Sequence, residues 1–154
     1  KSPNILFLLS DQQRWDCLGA LNDAIRTPAL DRLAHEGALF ERAYAPSPVC
    51  LPCRTSLLTG QYPSTHRASH NHTELPEDVS PTIATVLRDR GYYTHIIGKS
   101  HFSNCHDPLT RESAPFIHNR AYYRKWNGPW YGFERADINI GHSTEKHACG
   151  MHYG

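Results

Sequence analysis

The feature that most constrains the fold of this chain is a repeated alternation between apolar runs and capped amphipathic segments. Residues 4–10, NILFLLS, form a continuous apolar run that turns polar at Asp11. Such a run is typical of a strand buried on both faces, as in a parallel sheet. The segment 27–37, TPALDRLAHEG, predicts a helix, because a Thr cap, a Pro at the first helical position and a Gly stop frame an apolar stripe. A second, shorter strand is predicted over 38–45, ALFERAYA.

The same alternation returns further along the chain. The segment 80–91, SPTIATVLRDRG, predicts a helix with Ser80 as its cap, and the segment 92–98, YYTHIIG, predicts the strand that follows. Between the two repeats, CRTSLLTG predicts a short helix that ends at Gly60. Strand–helix–strand repetition with short connections predicts an α/β fold, with a mainly parallel sheet flanked by helices.

This regular pattern ends near residue 103. The segment 121–134, AYYRKWNGPWYGFE, mixes aromatic residues with Gly, Pro and bases, and the next predicted strand is ADINI, residues 136–140. We interpret residues 103–154 as an irregular, aromatic-rich surface excursion that is packed by its aromatic residues. The whole chain, 1–154, is interpreted as part of a single domain.

Two classes of partner are not predicted. The bases among the aromatic residues, Arg120, Arg124 and Lys125, suggest a nucleic-acid surface, but the net charge of +1 gives no bulk attraction and no known binding motif is present. The longest apolar run, residues 5–9, is too short to span a bilayer. That run also lacks the flanks of a signal peptide. The compartment is left open: the cytoplasm is slightly favoured, and a periplasmic or secreted location is expected only if a signal peptide has been removed.

Reactive side chains follow the predicted strands. Asp11 comes directly after the first strand, and Lys99 and His101 come directly after the strand at 92–98. In open α/β sheets, ligand sites form at the carboxyl ends of the strands. Cys50 lies at or near the N-terminus of the short helix, where backbone N–H groups favour an anion. This combination predicts a site for a tetrahedral oxyanion ester.

The two cysteines within APSPVCLPCRTSLLTG, residues 45–60, allow a second interpretation. Cys50 and Cys53 have the spacing of a redox dithiol. Thioredoxin-like sites place a strand directly before the first cysteine, whereas Pro46 and Pro48 precede it here and cannot supply the N–H groups of a central strand. A thiol–disulfide oxidoreductase is therefore a remote alternative.

Four segments of the chain resemble those of the type I, formylglycine-dependent sulfatases, which belong to the alkaline-phosphatase-like superfamily. CLPCRTSLLTG resembles the signature C-x-P-S-R-x-x-x-L-T-G, and GYYTHIIGKSH, residues 91–101, resembles the second motif, G-Y-x-T-x-x-x-G-K-x-H. PNILFLLSDQQ and TPALDRLAHEGALFERAYA are similar to the segments that precede them. The resemblance covers residues 3–102 and implies the N-terminal part of a sulfatase catalytic domain.

The resemblance implies a hydrolase of sulfuric esters and a role for each matching residue. Cys50 would be oxidised by a formylglycine-generating enzyme, and the hydrated aldehyde would attack sulfur and later expel sulfate. Arg54 would hold the diol and counter its charge. Lys99 would bridge the nucleophile and a sulfate oxygen, and His101 would hydrogen-bond the diol. The substrate would be a sulfated small molecule or a sulfated sugar.

The resemblance also implies a divalent metal, with Asp11, Gln12 and the modified Cys50 among its ligands. Ca²⁺ is favoured because it prefers oxygen ligands, and Mg²⁺ or Mn²⁺ are alternatives. Most of the family has two consecutive acids where this chain has Asp11-Gln12, so the site loses one negative charge. The family usually has Ser or Ala where this chain has Cys53, and we expect maturation to survive the change because it depends mainly on the Cys, the Pro and Arg54.

Further residues are candidates for the substrate pocket, namely Asn71 and His142. At first sight a zinc cluster is suggested by three histidines, His66, His70 and His72. The surface interpretation is favoured because no cysteine pair accompanies them. The family's second pair of metal ligands and its leaving-group lysine are expected beyond residue 154, so we expect the isolated chain to be inactive. Hydrolysis of phosphonate monoesters or phosphodiesters by the same nucleophile is the main alternative.

Overall fold

The computed structural model describes residues 2–113 and 120–139, and the chain divides into two compact units, residues 1–44 and 45–154. The first unit contains one helix, α1, over Pro28–Glu36, which confirms the helix predicted there. Thr27 occupies the cap position, but its hydroxyl does not cap the helix. It donates to Asp31 Oδ1 at 2.7 Å and accepts from the amide of Gly19 at 2.8 Å, so it fastens the preceding loop to α1.

The strands predicted over 4–10 and 38–45 are wrong for this structure, which has no regular secondary structure in either segment. The apolar side chains of residues 5–9 are between 47% and 82% exposed. A strand needs a neighbour to pair its backbone N–H and C=O groups. Among the residues that the structure describes, the only sheet has two strands, and both belong to the second unit.

The second unit contains the remaining elements. Helices α2, α3 and α4 cover Cys50–Thr59, Pro63–His66 and Ile83–Arg88, and a single helical turn covers Arg120–Tyr123. Strands β1, His95–Lys99, and β2, Arg135–Asn139, are parallel. The predicted helices at 53–60 and 80–91 and the predicted strands at 92–98 and 136–140 are therefore found, with shifted ends.

The ends of the helices follow from local hydrogen bonds. Gly60 adopts a left-handed conformation, with φ of 69°, and its N–H returns to Ser56 O at 2.8 Å, which ends α2. Helix α4 begins at Ile83 rather than near the predicted cap, Ser80. Its actual cap is Thr82: the Thr82 hydroxyl accepts from the amide of Thr85 at 3.1 Å, and the Thr85 hydroxyl accepts from the amide of Thr82 at 2.8 Å.

The core of the second unit lies between α2, the sheet and the aromatic segment. Trp130 and Tyr131 are 1% and 2% exposed, so two aromatic residues of the irregular segment pack into this core. Their polar atoms are paired, since Trp130 Nε1 donates to Ser100 Oγ at 3.2 Å and the Tyr131 hydroxyl donates to Leu75 O at 2.5 Å. The buried cluster consists of Leu58, Leu75, Phe102, Trp130, Tyr131, Ala136 and Ile138.

Within 2–113 and 120–139, no helix has the length and the apolar composition needed to cross a membrane.

Candidate active site

Cys50 is the first residue of α2. The preceding residue, Val49, is extended, with φ of −102° and ψ of 141°, so the chain enters the helix directly at the cysteine. This confirms the predicted position of Cys50 at a helix N-terminus. The first-turn amides of α2 carry the positive end of the helix dipole, which favours an anion beside them. Cys50 and Cys53 are both free thiols and half-buried.

The start of α2 is also held by a side chain from outside the helix. Asn71 Oδ1 accepts from the amide of Leu51 at 3.1 Å, and this satisfies one of the amides that an α-helix leaves without an internal partner. Asn71 is half-buried. The side chain of Asn71 thus contacts the backbone of the residue that follows Cys50.

Arg54 connects the two sequence motifs. Its Nη1 donates to the carbonyl oxygen of Lys99 at 2.5 Å. Lys99 is the last residue of β1, so this bond joins the second turn of α2 to the carboxyl end of a parallel strand. In the register of the sheet Lys99 faces Asn139, the last residue of β2. The contact brings the signature and the second motif together at the edge where α/β sheets form their sites.

The loop after β1 carries His101 and is bound by a carboxylate that sequence reasoning missed. His101 has a φ of 51°, in the left-handed region, and it is half-buried. Glu112 is 2% exposed and accepts hydrogen bonds from the residues of this loop, 100–103. Burial raises the pKa of Glu112, and hydrogen bonds from Ser100, Ser103 and Phe102 oppose that rise. No local sequence pattern marks this contact, because it joins residues nine to twelve positions apart in irregular chain.

Asp11 and Gln12 lie in the first unit, where both are exposed, and Gln12 has a φ of 53°. A carboxylate followed by an amide supplies the oxygen donors that suit a hard divalent cation. Two residues do not complete a shell of six or more ligands. In the described ranges, no three His, Cys, Asp or Glu side chains are grouped so as to hold a metal. His142 falls outside the described residues.

The sulfatase family model matches residues 3–137 of this chain. The chain belongs to the sulfatase family. An ulvan-active sulfatase of Formosa agariphila is 38% identical over 66% of this chain and 20% of its own length. An arylsulfatase of Clostridium perfringens is 41% identical over 64% of this chain and 21% of its own. Human N-acetylgalactosamine-6-sulfatase is 31% identical over 90% of this chain and 32% of its own.

The chain thus spans between a fifth and a third of the length of these relatives. Among solved structures, a phosphonate monoester hydrolase of Agrobacterium radiobacter superposes with a TM-score of 0.63 and 29% identity, over 88% of this chain and 25% of that one. The predicted family and the predicted α/β class, with its parallel strands, are confirmed. The family match also continues past residue 102, into the segment that lacks a regular sequence pattern.

The histidines of this sulfatase chain have different surroundings. His66 Nε2 lies 3.0 Å from Ser56 Oγ, and His66 Nδ1 accepts from the amide of Ala68 at 3.1 Å. Burial lowers the pKa of His66 below its ordinary value of 6.5. His70 and His72 are exposed, with ring centroids 6.1 Å apart. His66 is therefore half-buried and hydrogen-bonded beside α2, whereas His70 and His72 lie at the surface, as predicted.

The remaining alternatives can be compared with these surroundings. Residues 45–49 before Cys50 have no strand conformation, in contrast to thioredoxin-like sites. Arg124 and Lys125 are exposed, but the neighbouring Trp130 and Tyr131 are buried and cannot stack on bases. Neither a redox dithiol nor a nucleic-acid platform is supported by this arrangement.

Proposed function

We propose that this chain is part of an enzyme that hydrolyses sulfate esters, with a formylglycine made from Cys50 as its nucleophile. The observation that carries the proposal is the bond from Arg54 to the Lys99 carbonyl, because it joins the nucleophile-bearing helix to the cationic end of β1. Family membership supports the same reaction class. When present, the hydrated aldehyde would supply a hydroxyl that attacks sulfur and displaces the alcohol of the ester, and a second hydroxyl whose deprotonation re-forms the aldehyde and expels sulfate.

The protein's own residues have distinct roles in this proposal. Lys99 is assigned to a sulfate oxygen, where an ammonium stabilises the negative charge of the transition state. His101 is assigned to hold and move the proton of the diol that expels sulfate. Arg54 is assigned to orient the diol with the donors of its guanidinium that do not face Lys99 O. The amides at the start of α2 favour negative charge at position 50.

A divalent cation belongs to the same proposal. Asp11 and Gln12 would hold it, since both supply oxygen ligands, and the remaining ligands would come from outside the described residues. Ca²⁺ is the proposed ion, with Mg²⁺ or Mn²⁺ as alternatives. A bound cation would polarise a sulfate oxygen and make sulfur easier to attack.

The proposed substrate is a sulfated small molecule or a sulfated sugar. The name of one relative, N-acetylgalactosamine-6-sulfatase, specifies a sugar, whereas the name of another, arylsulfatase, specifies an aryl ester. A formylglycine-generating enzyme is the proposed partner in maturation. It would act on the segment around Cys50, and Pro52 and Arg54 complete the motif that it recognises.

A second candidate function is hydrolysis of phosphonate monoesters or phosphodiesters. It is favoured by one observation, the superposition on a phosphonate monoester hydrolase. Sulfate and phosphonate esters share a tetrahedral centre with charged oxygens, so the same nucleophile and the same cations serve both. Lys99 followed by His101 resembles the sulfatase form of the second motif, and we therefore favour sulfate.

The first test is mass spectrometry of the tryptic peptide of residues 43–54, from protein made in its native host. We expect Cys50 to have exchanged one sulfur and two hydrogens for one oxygen, and fragmentation should leave Cys53 unchanged. The Cys50→Ser variant serves as the unmodified control. Two intact thiols, or a disulfide between Cys50 and Cys53, would contradict the proposed nucleophile. Parallel assays with an aryl sulfate and an aryl phosphonate monoester then separate the two candidate reactions.

A further inference from the structure

Glu112 is a buried acid that the proposed reaction does not use. Its Oε1 accepts from the Ser100 hydroxyl and from the amide of His101, the latter at 2.5 Å. Its Oε2 accepts from the amides of Phe102 and Ser103, both at 2.7 Å, and from the Ser103 hydroxyl at 2.8 Å. One carboxylate thus accepts from every residue of the loop that follows β1, and we call residues 100–103 the motif loop.

Three consecutive amides of the motif loop point at this carboxylate, so the backbone forms a small anion-binding concavity. Such convergence requires a residue in an unusual conformation, and His101 has a φ of 51°. This region is unfavourable for a residue other than Gly, because the side chain crowds the following carbonyl oxygen. The hydrogen bonds to Glu112 offset that cost, and they tie the conformation of His101 to the carboxylate.

The start of the motif loop is held by further contacts. On the strand side, Arg54 binds the Lys99 carbonyl at 2.5 Å. Trp130 Nε1 donates to the Ser100 hydroxyl at 3.2 Å, and that hydroxyl in turn donates to Glu112. The loop therefore has two supports, a guanidinium at its start and a carboxylate along its length.

Glu112 is itself fixed by its neighbour in sequence. Arg111 Nε donates to the Tyr122 hydroxyl at 2.8 Å, and the guanidinium pairs with Glu77. The same group lies 5.6 Å and 5.7 Å from the ring centroids of Trp126 and Trp130. These contacts limit the movement of the backbone at position 112, so the carboxylate can act as a rigid support.

We propose that Glu112 is a positioning residue, whose carboxylate holds the motif loop so that His101 and Lys99 meet the reacting ester in one fixed arrangement. The inference rests on the proposed function for the role of those two residues. It adds a support that the sequence motifs do not contain. Misplacement of a reacting group by about 1 Å costs up to about 100-fold in rate, so loss of this support acts on catalysis more than on substrate binding.

The deciding variant is Glu112→Gln in the full-length protein. The amide keeps the size of the side chain, but its NH₂ group must face either Ser100 and His101 or Phe102 and Ser103, all of which are donors. We expect kcat for an aryl sulfate to fall by about 10- to 100-fold, with KM within about threefold of wild type. Glu112→Asp, which keeps two acceptor oxygens, should recover part of kcat.

Glu134→Gln is the matched control. Glu134 is an exposed acid that also accepts from a backbone amide, that of Thr94 at 3.1 Å, before the opposite end of β1. We expect its kcat to equal that of wild type. Hydrogen exchange should rise in Glu112→Gln at the amides of residues 101–103 and stay unchanged in the rest of the second unit. A kcat equal to the control, or exchange that rises throughout the unit, overturns the positioning role.

Two outcomes remain decisive if the main variant is unsuitable. Should Glu112→Gln not fold, Ser103→Ala removes one of the five bonds to the carboxylate, and an unchanged kcat there overturns the proposal. Should the wild-type protein hydrolyse no sulfate ester, the proposed function fails. The exchange measurement still tests the carboxylate support by itself, because unchanged exchange of residues 101–103 in Glu112→Gln rejects it.

Discussion

Single side chains decide how the N-terminal half of α2 is held. Asn71 Oδ1 binds the amide of Leu51, and Arg54 binds the Lys99 carbonyl. Both bonds join the helix to residues outside it. Cys50 therefore begins a helix whose position is set by long-range contacts rather than by a cap in its own sequence.

Replacing Asn71 by Ala should lower the free energy of unfolding by about 1 kcal/mol, the usual value of a lost helix N-terminal acceptor. The reason is that the amide of Leu51 loses its partner in a half-buried setting. Asn71→Asp keeps an acceptor beside the positive end of the helix dipole and should be nearly neutral. Urea unfolding of both variants tests this, and equal stability of Asn71→Ala and wild type would show that the bond contributes nothing.

His66 should make the stability of the protein depend on pH. Burial lowers its pKa below 6.5, so the unfolded chain binds the proton more readily than the folded chain. The contribution of His66 to the free energy of unfolding is then fully present above about pH 6.5. It is lost as the pH drops through the lower pKa of the folded state. Protonation of Nδ1 would also set a donor against the amide of Ala68.

The matched variant is His66→Asn, whose Oδ1 keeps an acceptor near the position of Nδ1 without a titrating ring. Melting temperatures between about pH 7.5 and pH 5 should fall less steeply in this variant than in wild type. His70→Asn is the control, because that ring is exposed at the surface. Identical slopes in wild type and His66→Asn would assign the acid sensitivity to other groups.

The sequence predicts these residues unequally. Cys50, Arg54 and Lys99 belong to continuous motifs. The sequence therefore predicts the helix or strand beside each of them and the edge of the sheet at which the motifs meet. Asn71 and Glu112 act through contacts that join distant positions in irregular chain, and no periodicity or cap pattern reports such contacts. Glu112 lies in a loop whose composition is ordinary, and only its burial in the structure shows that it has a role in holding residues 100–103.

At the scale of elements, the turn at Tyr131–Gly132 packs against the start of α4. Gly132 has a φ of 89°, and a Cβ placed there would lie 2.5 Å from Thr85 Cγ2 and 2.7 Å from Thr82 Oγ1. The Thr82 hydroxyl also donates to the Tyr131 carbonyl at 3.1 Å. The capping box of α4 is thus also the surface on which this turn rests.

Gly132→Ala should destabilise the protein by roughly 1–3 kcal/mol, since it adds a clash to an unfavourable backbone conformation. Gly91→Ala is the matched control: its φ is 83°, but nothing lies within 4 Å of the added Cβ. The difference between the two variants in chemical denaturation isolates the close approach of the turn to α4. Equal losses would show that only the backbone conformation matters.

Elements with local signals are predicted well, and those that depend on distant partners are not. Helices α1, α2 and α4 carry stop signals or caps within their own segments, and β1 and β2 pair with each other in the described chain. Residues 4–10 have the composition of a buried strand but no described strand beside them. An apolar run indicates a segment that is more stable when it is buried, and the strands and helices packed beside it determine whether it forms a buried strand.

For the whole molecule, the two units differ in how much they bury. None of residues 2–44 is buried, whereas the second unit has a continuous aromatic and aliphatic core. The relatives that match this chain are a little more than three times its length. A unit without a fully buried side chain gains little hydrophobic stabilisation by itself.

The isolated chain of residues 1–154 should not turn over a sulfate ester. The proposed reaction needs a cation, and the described ranges contain no group of three acidic, His or Cys ligands, while Asp11 and Gln12 are exposed. Hydrolysis of an aryl sulfate with Ca²⁺ present should therefore equal the buffer rate, whereas the full-length gene product should be active. Cys50→Ser in the same 1–154 chain reveals any contaminating sulfatase. Turnover that exceeds this control would mean that residues 1–154 bind and position an ester without further metal ligands. The proposal that some ligands of the site lie outside this chain would then be wrong.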